Sequence, residues 1–97
     1  ARKARECKET AENLSKEYNS TCIAIPGDIS DLDGIIRLYN DFCKYENNLD
    51  ILINNAGAVW GQTFEEFSEQ GWDKVMDLNV KSMFFLTKRF LDLLKIN

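Results

Sequence analysis

The sequence predicts an α/β fold on a doubly wound parallel sheet, and three observations carry that prediction. Helical and strand patterns alternate along the chain, which with right-handed crossovers gives parallel strands. The strand patterns are short apolar runs without polar alternation, as in strands covered on both faces. Both runs end in turns of small, amide or acidic residues, Pro26-Gly27-Asp28 after the first and Asn54-Asn55-Ala56-Gly57 after the second. Ligands of open α/β sheets bind outside the carboxyl ends of the strands, so these turns mark a candidate site.

The order of elements follows from periodicity. Residues 1–18 lack proline and glycine, and Ala4, Cys7, Ala11 and Leu14 recur every three or four positions, so they predict an amphipathic helix. Asn19 and Ser20 form a turn, and residues 22–25 predict a buried strand closed by Pro26-Gly27. Ser30 is the expected N-cap of a second helix, with Asp31 and Asp33 in its first turn, running to about Tyr45. Its apolar stripe is Ile35, Leu38, Tyr39, Phe42 and Cys43. Asn47-Asn48 precede the second strand, residues 49–53, and the loop that follows reaches Phe67. From Ser68 a long helical stretch carries Trp72, Val75, Met76, Asn79, Met83, Leu86, Phe90 and Leu94, and Asn79 is the polar exception in that stripe. The predicted order is helix, strand, helix, strand, helix.

Composition narrows the function. A chain of 97 residues, 44% hydrophobic and 29% charged, fits one domain or part of one. A formal charge of −4 argues against nucleic acid as a partner, because phosphate binding requires a basic face. No apolar run approaches the roughly 20 residues that span a bilayer, and the charged start does not read as a signal peptide, so a cytoplasmic setting is expected. Cys7, Cys22 and Cys43 are scattered, and the chain has no histidine, so reduced thiols are expected and imidazole acid-base chemistry is excluded within it.

Taken together, Asp28-Ile29 after the first strand, Asn54-Asn55-Ala56-Gly57 after the second, and Asn79 in Leu78-Asn79-Val80 resemble the central part of a short-chain dehydrogenase/reductase. The resemblance runs over essentially the whole chain. Trp60-Gly61 and the run from Gly71 to Met76 are most similar to bacterial and fungal members related to 3-oxoacyl-carrier-protein reductase. The family's fold is a Rossmann-type dinucleotide-binding domain, so residues 1–97 are expected to be its central part. A glycine-rich pyrophosphate turn, a catalytic serine and a Tyr-x-x-x-Lys pair are not found among these residues, and the chain alone is expected to be inactive.

The resemblance implies roles for individual residues. Ala56 and Gly57 would let the chain pass close beneath the cofactor, and Asn55 would offer its amide; Asn54 is expected mainly to tie neighbouring strands. Asp28 would accept from the adenine amino group, with Ile29 lining the same pocket; the plainer alternative is a capping acid. Arg2, after Ala1 where NAD-preferring relatives carry an acid, would favour the 2′-phosphate of NADP over NAD. Asn79 is the catalytic candidate, since its counterpart kinks the helix and frees a carbonyl to hold a water in a proton relay. Val80 and Ser82 read as packing, and Trp60 and Gln62 as residues near the substrate pocket without an assigned role. Phe84, Phe85, Lys88 and Asp92 form a stripe that could pack against a partner subunit, since the family commonly forms dimers and tetramers through this helix, but the sequence alone does not assign that face. The expected activity is NADP-dependent hydride transfer with a small-molecule carbonyl or alcohol substrate, and no metal, membrane or nucleic acid is expected to take part. A non-catalytic nucleotide-binding or interaction module is the alternative.

Overall fold

The computed structural model describes residues 3–57 and 59–95. Four α-helices follow in order, α1 (Ala4–Glu17), α2 (Leu32–Phe42), α3 (Glu69–Met76) and α4 (Ser82–Leu94). A π-helical turn, Asp77–Lys81, joins the last two into one rod. The long helical stretch expected from Ser68 is therefore present, with Ser68 as N-cap accepting from Gly71 N–H at 3.0 Å.

Residues 22–25 and 49–53 carry no helix, and among the described residues no strand ladder forms. The reason is topological. The resemblance makes these two segments the third and fourth strands of the family's sheet, and in the doubly wound order 3-2-1-4-5-6 those have two others between them, so the segments are not each other's hydrogen-bonding partners. The second segment still shows strand alternation. Leu52 packs on the helices, whereas Ile51 and Ile53 on either side of it are 73% and 80% exposed.

The core lies between α2 and α4. Ile35, Leu86, Phe90 and Leu93 are buried together, with Leu38, Phe42, Leu49 and Phe85 packed around them. Phe90 meets the edges of Tyr39 and Phe42 at ring-centroid distances of 5.3 and 5.6 Å. Leu49 N–H donates to Leu93 O at 3.2 Å and fastens the start of the second segment to the end of α4. In α1 the buried residue is Ala11, and Ser15 Oγ accepts from Cys22 N–H at 3.0 Å, which pins the first segment to that helix. The radius of gyration, 15.7 Å, exceeds the roughly 13 Å of a compact domain this long, and large apolar side chains such as Ile51, Ile53 and Phe84 stand exposed.

Three local expectations are corrected. Asp31, not Ser30, caps α2, accepting from Gly34 N–H at 2.7 Å; a carboxylate there also meets the positive end of the helix dipole. The helix ends at Phe42 rather than Tyr45, since residues 43–45 tighten into a turn in which Tyr45 N–H donates to Phe42 O at 2.9 Å. The stripe left open for a partner subunit is partly engaged within the chain. Phe85 packs on the core and Asp92 accepts from Tyr39 Oη at 2.8 Å, while Phe84 is 63% exposed. That hydrogen bond to Asp92, followed by partial loss of hydration and the charge of Asp92, pushes the Tyr39 phenol up to about 12. All three cysteines are free, and Cys22 and Cys43 are exposed rather than packed.

Candidate functional site

The turn after residues 22–25 is held from three sides. Ser30 N–H donates to Asp28 Oδ1 at 3.0 Å, the local side-chain turn that aspartate favours. Gly34, buried in the first turn of α2, lies against the Asp28 backbone, and a Cβ on Gly34 would overlap the Asp28 carbonyl oxygen. Ser82 Oγ on α4 stands 2.5 Å from Ile29 O. The position of Asp28 and Ile29 is thus set by a missing side chain on one helix and a hydroxyl on another.

The turn after residues 49–53 faces the break in the long rod. Ser82 N–H donates to Asp77 O, five residues back instead of four, which is the π-turn, and Asn79 sits in its middle. A Cβ on Gly57 would stand 3.1 Å from Asn79 Oδ1, so the absence of a side chain at Gly57 lets the Asn79 amide approach. Asn54 Nδ2 donates to Thr87 Oγ1 at 3.2 Å, which ties the turn to α4.

A cavity of about 760 Å³ runs between the two turns, with Asp28, Ile29, Ala56 and Gly57 on its walls together with Lys74 and Asp77. Its volume falls in the range of about 300 to 1,000 Å³ found for small-molecule and cofactor sites. Four of the predicted residues therefore share one cavity. Asn55 borders a separate pocket of about 80 Å³ with Ile29, Ala56 and Leu78. Asn79 lines a separate apolar groove with Val80, Met83 and Phe84. Arg2, and Ala1 before it, lie outside the described residues. Among the described residues no cluster of acidic or cysteine side chains could hold a metal, and no helix is long and apolar enough to cross a membrane.

The loop between the second turn and α3 is organised by Trp60. Its Nε1–H donates to Gln62 Oε1, which also accepts from Ser68 N–H at 3.2 Å. The indole lies where a Gly71 side chain would be, and Lys74 Nζ is 5.6 Å from the ring centroid. From the sequence no site role attached to Gly34, Gly71 or Ser82, the last of which read as packing. The two glycines did carry a signal, since a glycine inside a helical pattern costs about 1 kcal/mol against alanine and so points to close packing. Ser82 carried none, because a serine on an amphipathic helix is ordinary.

Paired turns at the ends of two sheet segments, facing a helix broken at an asparagine, define the class as a doubly wound α/β protein with its groove at the strand ends. A family model described as short chain dehydrogenase matches residues 1–97, and the chain belongs to that family. It is 44% identical over 95 residues to a rhamnolipids biosynthesis 3-oxoacyl-[acyl-carrier-protein] reductase of Pseudomonas aeruginosa, covering 98% of this chain and 36% of that protein. It is 37% identical over 83 residues to a 2-dehydro-3-deoxy-D-gluconate 5-dehydrogenase of Dickeya dadantii, covering 86% and 32% respectively. The chain therefore spans about a third of the length of these relatives. Among solved structures, the Pseudomonas aeruginosa RhlG/NADP active-site complex superimposes with a TM-score of 0.91 at 43% identity, over 99% of this chain and 37% of the other. The fold is thus the Rossmann-type α/β fold expected from the sequence.

Proposed function

We propose that this chain is the central part of an NADP-dependent oxidoreductase that transfers a hydride between the nicotinamide and a carbonyl or secondary alcohol. The observation that carries the reading is the meeting of Gly57 with Asn79 at the edge of the cavity that Asp28, Ile29 and Ala56 also line. NADP, when bound, supplies or accepts the hydride. Asp28 and Ile29 hold the adenine end, Ala56 and Gly57 give the cofactor its clearance, and Asn55 adds an amide from the neighbouring pocket. Arg2 selects the 2′-phosphate over the free hydroxyl that NAD carries. The π-turn diverts a backbone amide from its usual acceptor, and Asn79 in that turn orients the water that hands on the proton. The two relatives named for a 3-oxoacyl reductase and an NADP complex support this cofactor and a carbonyl substrate. The protein works in the cytoplasm as a homodimer or homotetramer, with exposed Phe84 and Leu91 on the contacting face.

The test is NADPH oxidation by the protein expressed from its complete reading frame, with a panel of ketones and 3-oxoacyl thioesters. Turnover is expected, with NADH poorer than NADPH. Asn79→Ala should lower kcat by about 100-fold while the KM for NADPH stays within about twofold. Nucleotide binding without turnover on any substrate would leave a binding module. An Asn79→Ala variant with unchanged kcat would remove Asn79 from the relay.

A further inference from the structure

Ser82 is the buried polar side chain among the described residues, 2% exposed, and it lies in neither of the turns that line the cavity. Its hydroxyl oxygen stands 2.5 Å from Ile29 O and 2.6 Å from Asp77 O. A hydroxyl carries one hydrogen, which these two carbonyls must share. The backbone N–H of Ser82 is already directed at Asp77 O and closes the π-turn. One residue therefore closes the turn that carries Asn79 and, from the same place, grips the backbone next to Asp28. Helix packing alone would not fix that distance. Ile29 lies 53 positions away in sequence, in a segment without a strand ladder among the described residues.

We propose that Ser82 is a positioning residue that joins the adenine side of the cavity to the Asn79 turn, so that losing its hydroxyl weakens binding of the adenosine half of the cofactor without Ser82 touching the ligand. The proposal rests on the nucleotide site described above. Removing the hydroxyl leaves Ile29 O without this donor in a part-buried place, and the Asp28 turn is then free to shift away from α4. Gly34 still holds the Asp28 backbone from the other side, so the change is a displacement of the turn and not its unfolding.

The test uses the protein from its complete reading frame, with 2′,5′-ADP as the probe and calorimetry as the readout. Ser82→Ala and Ser82→Cys, the second of which keeps the volume and loses the strong donor, should each weaken 2′,5′-ADP binding by about 3- to 10-fold. In an Asp28→Ala background the same Ser82→Ala change should cost less than about twofold, because the residue it positions is gone. A purely structural role would give the same loss in both backgrounds, and that result overturns the proposal. Full affinity in Ser82→Ala alongside weakened binding in Asp28→Ala also overturns it and leaves the nucleotide site standing. Full affinity in both single variants overturns the nucleotide site together with the role of Ser82.

Discussion

Gly34→Ala tests how the cavity wall is built. Elsewhere in a helix the change would help, since alanine is favoured over glycine by about 1 kcal/mol. Here the new Cβ overlaps the Asp28 carbonyl oxygen and comes within 3.2 Å of Asp31 Oδ1, the group that caps α2. Backbone cannot swing aside as the tip of a side chain can, so either the Asp28 turn moves or the start of α2 does. Forcing extra volume into a packed place costs about 1 to 3 kcal/mol, and a disturbed N-cap about 1 more. After the gain in helix propensity, a net loss of about 1 to 3 kcal/mol is expected. Gly27→Ala is the control, because a Cβ there meets nothing within 4 Å, and it should stay within about 0.5 kcal/mol of the parent. Urea denaturation measures both, the midpoint being compared at unchanged slope. NADPH affinity should fall in Gly34→Ala, since the change displaces Asp28; Gly27 itself borders the cavity and serves as the control for stability alone. A Gly34→Ala protein as stable as the parent, binding NADPH equally well, would refute the argument that this glycine seats the turn.

Two further outcomes follow from the same contacts. Gly57→Ala places a Cβ 3.1 Å from Asn79 Oδ1, so the amide must retreat by a few tenths of an ångström. Because a misplacement of about 1 Å costs about 100-fold, kcat should fall by about tenfold, and by no further factor when Asn79 is already alanine; an equal fall in both backgrounds would show that Gly57 acts elsewhere. Tyr39 should titrate near 12 by ultraviolet difference absorbance, whereas Asp92→Asn should return it towards the ordinary 10. A phenol whose folded pKa is raised contributes its stability in full below about pH 10 and loses it as the pH climbs to about 12. The alkaline limb of the stability profile should therefore flatten in Tyr39→Phe, and an unchanged limb would place that loss with other groups.

What the sequence by itself determined is local or periodic. The three-and-four spacing of apolar residues specified the helices, and Ser68 their late start, because a helix side chain's environment repeats with the turn. The small residues of 54–57 and the polar Asn79 in an apolar stripe marked the candidate site, because each departs from what packing alone would select. Tertiary structure decided what depends on residues distant in sequence. Asp31 rather than Ser30 caps α2 where Gly34 lets the helix start lie against Asp28. Phe85 packs on the core, and Asp92 meets Tyr39 at the surface, because α2 lies against α4. The strand segments lack a mutual ladder because their order in a doubly wound sheet, not their own composition, sets which strands are neighbours. Ser82 read as packing for the same reason: its two acceptors are carbonyls, which every residue carries, and only the fold determines which carbonyl a buried hydroxyl meets.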